Sequence, residues 1–137
     1  GYEVIAFTAK DHSGNPVYHT NVLMCIGNGF CLVCNEIIGQ ADMELLMDAL
    51  KRSGKELIGI SYEQVLRFAG NMLQLENDKG EFHLVMSSSA LESLRSGQKT
   101  RLEKHTRLLP VNITTIETTG GGSARCMMAE IFLQRRS

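Results

Sequence analysis

Cys126 is the residue of this sequence most suited to act as a nucleophile. It follows Gly120-Gly121-Gly122-Ser123, a run that lets a backbone approach a ligand closely, and Arg125 stands beside it. A neighbouring cation favours the thiolate, which is the reactive form of cysteine. The same Cys-Met-Met-Ala-Glu-Ile segment also reads as an ordinary buried stretch in which the thiol merely packs. Covalent catalysis by a thiolate needs a proton-transfer partner, and the candidates are His12, His19, His83 and His105. His12 lies in a Ser-Gly-Asn-Pro loop, His83 in a strand-like run, and His105 beside Lys104 and Arg107. These three read as solvated or packing residues, whereas His19 gains its place from the repeat described below.

The remaining composition narrows the partners. The chain has 137 residues, 14 Lys+Arg against 15 Asp+Glu, and 43% hydrophobic content, enough for a globular domain with a real core. With formal net charge -1 and no long basic run, bulk charge gives no basis for binding nucleic acid or an acidic membrane surface. The apolar runs fall well short of the roughly 18 to 20 residues that span a bilayer, and no secretory leader pattern is present. Cys25, Cys31, Cys34 and Cys126 are expected to be reduced thiols in a cytoplasmic protein rather than two disulfides. Cys31-Leu-Val-Cys34 has C-x-x-C spacing, but Leu and Val favour a strand, which points residues three apart to opposite faces, so it reads as core rather than as a metal or redox site. No cofactor motif, phosphate loop or metal cluster is expected.

The elements that must position Cys126 follow from pattern. Gly27-Asn28-Gly29 between the apolar runs Tyr18 to Ile26 and Phe30 to Ile38 predicts a hairpin. Met43, Leu46, Met47 and Leu50 recur at helical spacing over residues 41–53, with Gly54 to end the helix. Glu56 to Ile60 reads as a strand, and Ser61-x-x-Gln64 as a capping box opening a short helix. Met72 to Leu75 and Phe82 to Met86 are strand-like around the turn Asn77-Asp78-Lys79-Gly80. Ser89-x-x-Glu92 predicts a helix reaching His105 with a break at Gly97, Asn112 to Glu117 a further strand, and Cys126 to Leu133 a last one.

Strand, strand, helix, strand therefore occurs twice and begins a third time. Letters repeat as well: Asn21-Val-Leu returns as Asn71-Met-Leu, and Phe30-Cys-Leu-Val as Phe82-His-Leu-Val, at separations of 50 and 52. The expected units are about 18–61, 71–117 and 125–137. Their first strands, carrying Asn21, Asn71 and Cys126, are expected to line one axis, with His19 at the same end as Cys126.

Tyr18-His19-Thr20-Asn21-Val22, Phe68-Ala69-Gly70-Asn71-Met72-Leu73 and Gly120-Gly121-Gly122-Ser123-Ala124-Arg125-Cys126-Met127 together resemble the C-terminal half of the guanidino-group-modifying, or pentein, superfamily, and most closely its citrulline-utilisation hydrolase branch. The resemblance implies a partial α/β-propeller of strand-strand-helix-strand units, about two and a half of five, with the active site in the central channel. It implies that Cys126 attacks a guanidino or ureido carbon and that His19 protonates the leaving nitrogen and then activates water. Substrate contacts fall to Asn21, Asn71 and Arg125, and no cofactor is used. Where related deiminases carry His-x-Asp, this sequence has Asn21 in the third position. An amide lacks the charge to pair with guanidinium but can donate to and accept from a neutral group, which favours a ureido substrate such as citrulline. The superfamily's acidic residues lie upstream of the His; Asp11, Glu36, Glu63, Glu117 and Glu130 match none of those motifs and read as surface or capping groups. The chain is thus expected to be a fragment, or to associate with the missing half or with a copy of itself. An amidinotransferase with the same Cys/His chemistry and a non-catalytic association module are the competing functions.

Overall fold

A backbone turn opens the first unit. In the computed structural model, which describes residues 3–130, Thr20–Leu23 forms one helical turn (α1) closed by the Val22 N–H donating to the His19 carbonyl at 3.1 Å. This replaces the start of the expected strand and confines β1 to Met24–Ile26. β2 (Phe30–Cys34) returns antiparallel to it, with Met24 opposite Val33, and is buried along its whole length. That includes Cys31 and Cys34, so the C-x-x-C thiols are core side chains; Cys25 in β1 is buried too, and burial pushes both Cys25 and Cys31 up to about 12. α2 (Gln40–Arg52) buries Met43, Leu46 and Leu50, and leaves Met47 at the edge of the stripe and exposed. β3 (Glu56–Ile60) then lies parallel to β2, the pairing that a helical crossover permits.

The second unit repeats the plan. Ser61 and Gln64 form the expected capping box at the start of α3 (Tyr62–Leu66). β4 (Leu73–Glu76) and β5 (Phe82–Ser87) pair antiparallel, α4 (Ser88–Ser93) and α5 (Ser96–Leu102) cross over, and β6 (Arg107–Val111) pairs parallel to β5. The two sheets run β1-β2-β3 and β4-β5-β6 and share one buried cluster that includes Leu23, Phe30, Ile58, Met72 and Leu84. This is an α/β architecture built of strand-strand-helix-strand units.

Four expectations shift at element ends. The helix after β5 is capped by Ser87, whose Oγ accepts from the Ala90 N–H at 3.1 Å, rather than by Ser89. The break falls at Leu94 and Arg95, with Gly97 inside α5. The strand expected at Asn112 to Glu117 is instead β6, five residues earlier. Pro110 is tolerated there because β6 is an edge strand, while the Asn112 side chain accepts from the Thr114 N–H and hydroxyl and starts α6 (Thr114–Gly120). Cys126 sits in a 3-10 turn (Ala124–Met127) rather than in a strand, and Ile131 to Leu133 lie outside the described residues.

Side chains fasten one unit to the other. The buried Gln64 amide donates to the Ser93 carbonyl at 2.7 Å and to Gln98 at 2.8 Å, so the residue that caps α3 also grips the second unit. Glu56 of β3 accepts from Arg101 at 2.6 Å and meets His105 Nε2 at 2.7 Å. Those contacts, that of His105 first, hold the Glu56 carboxyl down to about 2. Among the described residues no helix is long and apolar enough to cross a membrane.

Candidate active site

Asn71 is the point at which the three sequence motifs meet. It is buried just before β4, and its amide nitrogen donates to the Asn21 carbonyl at 3.0 Å and to Cys126 Sγ at 3.2 Å. Its amide oxygen accepts from the Cys126 backbone N–H at 3.4 Å, and its own carbonyl accepts from the Arg125 N–H at 3.4 Å. One side chain therefore holds the turn that begins at His19 against the turn that carries Cys126. Phe68, at φ 63, bends the chain out of α3 toward it.

Gly70 makes that meeting possible. A Cβ there would lie 2.2 Å from the Val22 carbonyl oxygen and 2.9 Å from the Leu23 carbonyl carbon, both backbone atoms that cannot rotate away. Gly70→Ala is expected to cost about 2–3 kcal/mol in urea unfolding, the usual scale of overpacking. Gly97→Ala in α5, where nothing lies within 4 Å, should be neutral or mildly stabilising. Equal stabilities for the two variants would refute the close-approach account.

The glycine run works differently. α6 ends at Gly121 in the left-handed conformation, φ 66, which reverses the chain. Gly122 then passes within 3.3 Å of Cys126 Cβ, measured from where its own Cβ would be. The turn that follows closes with the Cys126 N–H donating to the Ser123 carbonyl at 3.0 Å. The outcome is an exposed thiol on a tightly held backbone, while the other three thiols are buried.

Cys126 and Asn71 line a cavity of about 370 Å³ whose walls include Val17, Val22, Tyr62 and Phe68, with Asp11 as its one carboxylate among the described residues. The Asp11 carboxylate accepts from Asn15 and from the backbone of Ser13 and Asn15, contacts led by the Asn15 side chain that hold it below the usual range. Asn21 and Arg125 line a different cavity, of about 450 Å³, with Thr20, Met24 and Leu46. Arg125 and Cys126, adjacent in sequence, thus face different spaces. His19 is exposed at the N-terminus of α1, and its ring caps no backbone N–H. His12, exposed in the Asp11 loop, packs against Tyr62 with ring centroids 4.2 Å apart and the rings tilted by 42°. His83 lies in β5, and His105 is engaged by Glu56.

Sequence reasoning singled out Asn71 from its repeat as a substrate contact; its contact with the Cys126 sulfur had no signal there. It read Glu117 as a surface or capping group, whereas the Glu117 carboxylate accepts from Ser123 Oγ at 2.6 Å and from Ser89 Oγ. The only available signal was an acid six residues before a serine in a glycine loop.

The sequence model of a family described as N,N dimethylarginine dimethylhydrolase, eukaryotic, matches residues 1–133. Comparison with curated proteins finds no match. Among solved structures, apo ArgZ, an arginine dihydrolase from the ornithine-ammonia cycle in cyanobacteria, superposes with TM-score 0.65 at 14% identity, over 89% of this chain and 17% of its own. AgrE in a ternary complex with ornithine and NAD+ gives TM-score 0.64 at 19% identity, over 88% of this chain and 16% of its own. The product-bound N-terminal domain of ArgZ gives 0.60 at 18% identity, with 80% of this chain and 36% of that one covered. The chain therefore spans well under half the length of each, and the likeness is one of fold.

Proposed function

Because the chain belongs to the N,N-dimethylarginine dimethylhydrolase family of the pentein superfamily, we propose that it carries the nucleophile for hydrolysis of a carbon–nitrogen bond at a guanidino carbon. The observation that carries this reading is the Asn71 amide N–H aimed at an exposed Cys126 Sγ, 3.2 Å away, on the wall of a cavity. A donor at sulfur serves the anion more than the neutral thiol, since hydrogen bonds to charged acceptors are the stronger ones.

A guanidino carbon is resonance-stabilised and resists water, so a covalent intermediate divides one hard step into two easier ones. The Cys126 thiolate attacks the carbon and forms a C–S bond; the C–N bond to the departing amine breaks as His19 gives that nitrogen a proton. Water then attacks the thiouronium carbon, yielding its proton to His19, and the C–S bond breaks to return the thiolate and a ureido product. The support for His19 is that its turn is pinned beside Cys126 through Asn71 and the Asn21 carbonyl.

The case for a neutral ureido substrate rested on Asn21, which lines the other cavity. Asp11, a carboxylate lining the Cys126 cavity, favours the cationic guanidinium instead. Amine or ammonia release from a panel of arginine, methylated arginines and citrulline tests this, and a clear preference for citrulline would overturn it. A second reading has His12 as the proton-transfer group, since its neighbour Asp11 and its packing partner Tyr62 both line that cavity.

Selective alkylation of Cys126 over three buried thiols would report exposure alone, so the decisive comparison is within Cys126. Asn71→Asp keeps the shape of the side chain but removes the donor and sets a negative charge at the sulfur. Iodoacetamide labelling of Cys126 near neutral pH is expected to slow by about tenfold or more. An unchanged rate would sink the role given to Asn71.

A further inference from the structure

Ser123 stands at the N-terminus of the 3-10 turn that carries Cys126, where a serine hydroxyl ordinarily accepts from the backbone N–H two or three residues on. That N–H would be the one belonging to Arg125 or to Cys126. Ser123 Oγ makes no such cap. It is wholly buried and donates to Glu117 Oε1 at 2.6 Å, while the second oxygen of the same carboxylate accepts from Ser89 Oγ, itself 3.1 Å from Ser87 Oγ. The Cys126 N–H is left to the Ser123 carbonyl and to the Asn71 amide oxygen, while the sulfur lies 3.2 Å from the nitrogen of that amide, which donates to it, and 3.5 Å from its oxygen, which accepts from the thiol.

From this we infer that Glu117 is a positioning residue: by holding the Ser123 side chain turned away from the Cys126 turn it keeps the hydroxyl from capping the Cys126 N–H, and so leaves the Asn71 amide in place against that N–H and the sulfur. The inference rests on the reading of Cys126 as the nucleophile for its catalytic consequence, though not for its geometry. Glu117 is suited to the task because it stays ionised: burial works against its charge, but the hydroxyls of Ser123, Ser87 and Ser89 outweigh that and hold it below the usual carboxylate range. A carboxylate offers only acceptors, so it can orient both serines as donors without competing for an N–H. Without it, the Ser123 side chain would be free to turn to the backbone N–H of the nucleophile's own turn and compete there with the Asn71 amide oxygen.

The test is a pair of variants, Glu117→Ala and Glu117→Ala/Ser123→Ala, with Glu117→Gln as the conservative control that keeps one acceptor. The single Ala variant is expected to lower kcat about ten- to a hundredfold with little change in KM, the scale of a misaligned reacting group. Removing the Ser123 hydroxyl as well takes away the competing cap and should restore much of that loss, and Glu117→Gln, which keeps one acceptor for Ser123, should lie between the single Ala variant and the parent. Independently of turnover, the side-chain amide resonances of Asn71 should move in Glu117→Ala and return in the double variant. A double variant no better than the single one, or Asn71 resonances that do not move, would overturn the inference. Turnover that survives Cys126→Ser would instead overturn the nucleophile reading and leave the resonance comparison to decide the role of Glu117. Melting temperatures of all the variants separate a loss of alignment from a loss of fold.

Discussion

Cys126→Ser is expected to lower turnover by at least about 10⁴-fold while the protein stays folded. Both halves of that expectation come from where the residue lies. The thiol is exposed, so the exchange removes no buried apolar volume, and surface substitutions of this kind stay within about 0.5 kcal/mol in denaturant unfolding. Asn71 can donate to a serine Oγ as it does to sulfur, so the junction of the three motifs should persist. What is lost is the chemistry: a hydroxyl is almost never ionised near neutral pH, and no base touches Cys126 among the described residues to activate one. Amine release from the preferred substrate, measured beside a urea melt, checks both. Residual activity above about 1% of the parent, in a folded variant, contradicts covalent catalysis by this residue.

His19→Ala is expected to cost about 10² to 10⁴ in kcat, the range for a positioned proton-transfer group, with KM nearly unchanged. Its ring caps no backbone N–H at the N-terminus of α1, so removing it should cost little stability. The useful contrast is His12→Ala, which removes the packing against Tyr62 at the cavity wall and should raise KM more than it lowers kcat. A substrate whose leaving group departs without a proton sharpens the comparison further. With it, His19→Ala should still form the bond to Cys126 but fail to release it, so intact-protein mass spectrometry would find the adduct accumulated. If His12→Ala traps the adduct and His19→Ala does not, the two histidines exchange roles.

How far the sequence foretells this arrangement depends on the range of the interaction. The Ser61 and Gln64 capping box, α2 with its buried stripe, and the strand Glu56–Ile60 rest on contacts within a few residues, and the pattern shows them. The turn at Thr20–Leu23 and the helix at Thr114–Gly120 were missed because Thr, Val and Ile favour strands, while one local hydrogen bond, from the Val22 N–H or to the Asn112 side chain, turned each segment the other way. Motif and repeat pointed to Cys126 and Asn71, and the structure brings the two side chains together. That the Asn71 amide would lie on the sulfur 55 residues away was not legible, because no local periodicity encodes it. Nor does adjacency in sequence fix shared surroundings: Arg125 and Cys126 face different cavities because a tight turn separates their side chains.

The burial of Cys25, Cys31 and Cys34 bears on how this protein would fare under oxidative stress. A sulfenic acid formed on an exposed thiol is normally rescued when a nearby cysteine condenses with it, and here the other three sulfurs are locked within β1 and β2. Burial holds the Cys25 and Cys31 thiols up to about 12, so neither readily presents the thiolate that a resolving partner needs. An oxidised Cys126 would therefore find no resolving partner among these three sulfurs. A small thiol able to enter the cavity can reverse that oxidation, and the supply of such a reductant then bears on how long the site stays usable.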